Sequence, residues 1–133
     1  MNCFNSYFFL FLIFIAGNIT AQSESSFNAN FDLSRVEGVW IIDLRPTPDS
    51  EPYLKEFVIE NIEGNSFSGI FYDTDFENGS FNLSWDKLYF AFTTKDASNT
   101  YFHSGYVEEE IMYGISFSPE RSFTAPWRGK KND

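Results

Sequence analysis

From Gly38 onward, short runs of alternating apolar and polar residues recur with turn signals about every 8–12 residues, the signature of an all-β sandwich or barrel. The runs are Val39–Arg45, Leu54–Ile62, Ser66–Tyr72, Ser80–Trp85, Lys87–Thr94, Tyr101–Val107, Ile111–Phe117 and Ser122–Arg128. Pro46 and Pro48 break the chain after the first run, because proline cannot donate to a strand ladder. Glu63-Gly64-Asn65, Lys95–Asn99 and Glu108-Glu109-Glu110 separate later runs. Asp73–Asn78 reads as a polar connector closed by a hairpin turn at Asn78-Gly79, since both residues tolerate φ > 0. No segment carries a 3.6-residue apolar stripe of helical length, although Phe31–Val36 fits one helical turn.

Alternation assigns faces. Trp40, Ile42 and Leu44 share one side of the first strand. Phe57 with Ile59, Phe67 with Gly69 and Phe71, Phe81 with Leu83 and Trp85, and Leu88 with Phe90 and Phe92 continue the pattern. These positions are expected to point inward. Gly69, Gly105 and Gly114 interrupt strands, where a missing side chain permits sharp coiling. Short links between consecutive strands favour antiparallel up-and-down order, and closure removes exposed edges. The expected fold is a small antiparallel up-and-down β-barrel of about eight strands over residues 36–129.

The N-terminus follows a different pattern. Tyr7–Ala16 is an unbroken apolar run, and the first charged residue is Glu24. The run is too short to cross a bilayer, which takes roughly 20 residues, and suits the apolar region of a signal peptide. Residues 1–21 are therefore expected to be removed between Ala21 and Gln22, and the mature protein to be secreted or periplasmic. Residues 22–35 form a Ser/Asn-rich leader and residues 130–133 a basic C-terminal tail.

Composition sharpens this. The single cysteine is Cys3, so a mature chain has no disulfide and must reach stability through apolar burial. The 17 Phe, 7 Tyr and 3 Trp supply the means. Nine basic against 19 acidic residues give a net charge of −10, which argues against nucleic acid and anionic membrane as partners.

Gly38-Val39-Trp40 at the start of the first strand resembles the G-x-W signature of calycin-type barrels such as the lipocalins, avidins and fatty-acid-binding proteins. The resemblance implies that Trp40 plugs one barrel end, with a basic residue of the last strand over its indole. Arg128 matches that position, with Arg121 as the fallback. No ligand site of these families transfers residue by residue; for a ligand held at the open end, Trp85, Tyr89, Tyr101 and Tyr106 are the expected rim contacts.

Catalytic and metal chemistry finds little support. His103 is the lone histidine and is expected at the surface or rim, with Ser104 pointing to the opposite face. Asp73–Gly79 resembles a calcium loop, but its glycine falls one position late and Ser84 stands where a bidentate glutamate belongs. No catalytic residue, metal site or cofactor is assigned. The reading is a non-enzymatic binding module for a small apolar or aromatic ligand. The alternatives are a protein-interaction or inhibitor module using the acidic surface and, third, an enzyme of unknown class.

Overall fold

The computed structural model describes residues 31–132, so the expected signal peptide, its Ala21–Gln22 junction and most of the leader lie outside the described residues. A 3-10 turn, Leu33–Arg35, opens the described chain, with the Asp32 carboxylate accepting from the Ser34 amide at 3.1 Å. This is the single helical turn that the pattern of Phe31–Val36 predicts. Nine strands follow: β1 Gly38–Asp43, β2 Leu54–Glu63, β3 Ser66–Phe71, β4 Thr74–Asp75, β5 Glu77–Asn82, β6 Leu88–Lys95, β7 Thr100–Glu108, β8 Ile111–Ser118 and β9 Phe123–Lys131.

Eight of them close into an antiparallel barrel. Around the wall the order is β1, β2, β3, β5, β6, β7, β8, β9, and β9 pairs back onto β1. Neighbours in sequence are neighbours in space, except that β4 pairs only with β3 and lies outside the closed ring. The predicted up-and-down barrel is therefore the observed fold, with one short extra strand.

Its interior is a cluster of rings. Phe57 is the hub, with centroids 4.9 Å from Phe92, 5.3 Å from Phe71, 5.8 Å from Phe76 and 6.1 Å from Trp127. Tilted and edge-on geometries dominate, as ring quadrupoles favour. Burying each phenylalanine stabilises the fold by roughly 1.5–3 kcal/mol, which is how a barrel without a disulfide holds together. Of the predicted inward set, Trp40, Ile42, Phe57, Ile59, Phe67, Phe71, Phe81, Leu88, Phe90 and Phe92 are buried. Leu44 and Leu83 are half-buried.

Three expectations are corrected. Trp85 does not point inward: β5 ends at Asn82, so Trp85 sits on the following loop, 63% exposed, where strand alternation no longer applies. Asp73–Asn78 is not simply a polar connector ending in a turn. Phe76 within it is buried against Phe67 and Phe92, at 5.3 and 4.8 Å, and leads the chain from β4 into β5 of the wall. Asn78, at φ +58, then forms a bulge in β5, where the register with β6 slips by one residue between Glu77 and Ser80. The last strand runs past Arg128 through Lys131, so Lys130 and Lys131 belong to the wall.

Candidate functional site

Because rings occupy the interior, the places where this barrel can meet a ligand are its ends and its outer face. The Trp40 end is closed from below. Trp40 Nε1 donates to the Val36 carbonyl at 2.9 Å, tying the 3-10 turn to the barrel. The basic residue beside Trp40 is Lys131, its register partner on β9, whose Nζ donates to the Arg35 carbonyl at 2.8 Å. Arg128 does not lie over the indole. It faces outward and pairs in register with Asp43 and Tyr113, because inward positions on β9 have the parity of Trp127 and Gly129. Arg121 lies in the turn between β8 and β9, where it donates to the Tyr101 hydroxyl at 2.9 Å. A depression of about 930 Å³ remains beside the turn, lined by both signs of charge, among them Asp32, Arg35, Glu110 and Lys131.

His103 is not at the rim. It is 5% exposed, stacked on Phe92 at 4.6 Å, with Nδ1 2.7 Å from Ser116 Oγ and Nε2 2.9 Å from Thr94 Oγ1. Trp127 Nε1 donates to the same Ser116 oxygen at 3.0 Å. Burial holds the imidazole pKa down at about 4, so it is neutral at pH 7. In the neutral form each ring nitrogen has a partner hydroxyl that complements it. Ser104 points away, as the alternation predicts, but Ser116 supplies a serine within reach from the next strand. The pair lies inside the ring cluster, so it satisfies buried polarity rather than presenting a nucleophile to solvent.

The resembled calcium loop is occupied by lysines: Asp73 pairs with Lys55 at 2.9 Å and Glu77 with Lys95 at 2.7 Å. Among the described residues no group of three or more His, Cys, Asp or Glu could hold a metal ion.

The four predicted contact residues separate. Trp85 stands alone on its loop. Tyr101 belongs to an inward position at the other end, its hydroxyl bonded to Asp96 at 2.9 Å. Tyr89 and Tyr106 come together, register partners on β6 and β7 with centroids 6.0 Å apart, but on the outer face rather than around an opening. Tyr113 on β8 continues their row, stacked on Tyr106 at 5.2 Å.

That row is one side of a furrow. Two residues further along each strand runs a second row of register partners, Ser80, Ala91, Ser104, Ile115 and Pro126, crossing β5 to β9. Beyond it lies a third, Thr93, Phe102, Phe117 and Thr124. The middle row starts with small side chains and is flanked by tyrosines on one side and two phenylalanines on the other, which makes it a floor between two walls. At ~4.8 Å per strand step the part of this row that lines depressions runs ~14 Å from Ser80 to Ile115, with its walls ~13 Å apart, four residues along a strand. Three depressions of about 650, 460 and 570 Å³ lie along it and share floor or wall residues: Tyr89 joins the first to the second, Ser104 and Ile115 the second to the third.

Two properties together characterise the furrow. Phe102 and Phe117 are 47% and 46% exposed on neighbouring strands, with Ile115 43% exposed between the rows. And although the chain carries a net charge of −10, no Asp, Glu, Lys or Arg among the described residues lines any of the three depressions. Charges stand only at the margins, with Lys87 Nζ 4.6 Å above the Tyr106 ring and Arg128 across from Tyr113. The hydroxyls of Tyr89, Tyr106 and Tyr113 take no partner among the described residues, whereas those of Tyr53, Tyr72 and Tyr101 do.

Tyr89 and Tyr106, expected at a rim, lie instead on the outer wall, and Tyr113, Phe102, Phe117 and Ile115 beside them were not singled out from the sequence. The signal was present as large apolar residues at outward-parity positions of β7 and β8. Comparison with known proteins adds no relative: no family model, no curated protein and no solved structure matches the chain.

Proposed function

We propose that this chain is an exported, non-enzymatic binding module of calycin-like design that takes its ligand in the outer furrow across β5 to β9. The observation that carries the reading is the uncharged, aromatic-walled groove on a strongly acidic protein. Apolar area this exposed costs solubility and marks contact surfaces in soluble domains. Binding sites typically combine apolar walls with a few polar groups that orient the ligand, as the tyrosine hydroxyls and Ser104 do here. The filled interior weighs against the cup-shaped site that the lipocalin resemblance implies. The Trp40–Val36 and Lys131–Arg35 hydrogen bonds support the calycin-like reading of the closed end, with Lys131 rather than Arg128 in the capping role.

Saturation-transfer NMR with a mixed panel of sugars, aromatic fragments and aliphatic alcohols tests the site. Ser104→Trp fills the furrow floor, and Glu110→Trp obstructs the depression beside the 3-10 turn. Signals lost in the first variant and kept in the second support the furrow. The reverse pattern moves the ligand to the barrel end.

A further inference from the structure

Building on the furrow as the binding site, we infer that its ligand is an uncharged, linear sugar chain lying across the strands. The furrow is long, narrow and open along its length, which suits a polymer segment better than a compact molecule. Its two walls differ in chemistry. On one side Phe102 and Phe117, centroids 6.5 Å apart and tilted by 33°, offer an apolar platform nearly half exposed. On the other, three tyrosines present hydroxyls without partners among the described residues, and Ser80 and Ser104 add hydroxyls to the floor. At one end Asn65, Asn82 and Ser84 contribute neutral hydrogen-bonding groups. A pyranose has the matching division: its C–H faces rest on aromatic rings, whose faces are negative, and its equatorial hydroxyls exchange hydrogen bonds at the edges. One sugar residue and its linkage cover about the same length as one strand step of ~4.8 Å, so successive residues meet successive strands.

Charge selects against other polymers. A polyanion such as a uronate-rich glycan meets a net charge of −10, with no cation lining the three depressions and only Lys87 and Arg128 at the tyrosine margin. A second copy of the chain brings another −10, and two convex barrel faces touch along a line, well short of the ~1,600 Å² that a stable interface buries. An extended peptide needs partners for its backbone N–H and C=O groups. A closed wall offers no free strand edge at β6, β7 or β8, since each is paired on both sides. A purely apolar chain would desolvate the floor and wall hydroxyls without compensation.

Affinity electrophoresis of the full mature chain in gels containing soluble β-glucan, xylan, galactomannan or amylose tests the inference, with alginate and polygalacturonate as charged controls. Retardation by one or more neutral glycans and by neither polyanion is expected. Phe117→Ala and Tyr106→Ala should each weaken that binding about tenfold, as loss of a central aromatic contact does. Tyr53→Ala, an exposed aromatic residue beside β2 that lines none of the three depressions, should leave it unchanged. Circular dichroism and urea midpoints close to wild type establish that the variants fold. No retardation by any neutral glycan overturns the sugar assignment, as does retardation by the polyanions or a loss confined to Tyr53→Ala. The furrow itself is judged separately: if Ser104→Trp abolishes binding of aromatic or aliphatic NMR probes while every glycan fails, the site stands and only the ligand class falls.

Discussion

The imidazole Nδ1 of His103 lies 2.7 Å from the Ser116 hydroxyl because the two are register partners on β7 and β8 and both face inward. With the pKa lowered from 6.5 to about 4 by burial, the folded state binds fewer protons than the unfolded state between those values. His103 therefore contributes stability in full above pH 6.5, and that contribution is lost as pH falls toward 4. The maximum slope is about 1.4 kcal/mol per pH unit, for a total of order 3 kcal/mol. Urea unfolding of wild type and His103→Asn at pH 7 and pH 5 checks this. Wild type should lose more stability over that interval than the variant, and equal slopes would show that His103 is not the responsible group.

Gly114 faces Trp127 across the β8–β9 ladder so closely that a Cβ on it would overlap the indole ring. Gly114→Ala should cost about 1–3 kcal/mol or more, since ring and backbone are both hemmed in. Gly64, in the β2–β3 turn at φ +62, has nothing within 4 Å of such a Cβ. Gly64→Ala should cost about 1 kcal/mol, from the left-handed backbone alone. Urea midpoints that rank the two the other way round would contradict the packing described for Trp127.

The capping role of Lys131 and the outward position of Arg128 separate cleanly by substitution. Lys131→Met removes the donor to the Arg35 carbonyl and should lower stability by about 0.5–1.5 kcal/mol. Arg128→Met, on an exposed outward position, should stay within about 0.5 kcal/mol of wild type. Amide hydrogen exchange followed by NMR should be faster at Val36 and Glu37 in the Lys131 variant, because their amides close the turn onto Leu33. A larger loss in Arg128→Met would restore it as the residue that secures the Trp40 end.

Phe57 and Phe117 should respond oppositely, although both are strand phenylalanines. Phe57→Ala opens the centre of the ring cluster and should cost about 3–5 kcal/mol. Phe117→Ser exchanges a half-exposed ring for a polar residue and should cost under about 1 kcal/mol. Thermal unfolding distinguishes the two. A large loss at Phe117 would mean that its ring supports the wall and is not held out for a ligand.

Much of the barrel was legible in the sequence because strand faces follow a local rule. A residue at Trp40, Ile42 or Phe57 declares its side by the company it keeps two positions away, and those assignments match the buried set. The rule failed where a local signal had two outcomes. Asn78 tolerates positive φ in a turn or a bulge, and only the burial of Phe76 selected the bulge. It failed again at Trp85, where alternation was extended beyond the end of β5. Arg128 was misplaced because the end of β9 was set three residues short, which hid Lys131.

By itself, then, the sequence determined the strand class, the inward set and the reliance on aromatic burial, all of which depend on residues a few positions apart. Its charge of −10 and its lone His103 were equally plain. Only the tertiary structure decided the register between strands, because closure of the wall fixes it through contacts far apart in the chain. That closure brings Ser116 to His103 and lays Ser80, Ala91, Ser104 and Ile115 in one line between two aromatic walls. Residues scattered over β5 to β8 thereby become a groove, which no reading of one strand at a time can reveal.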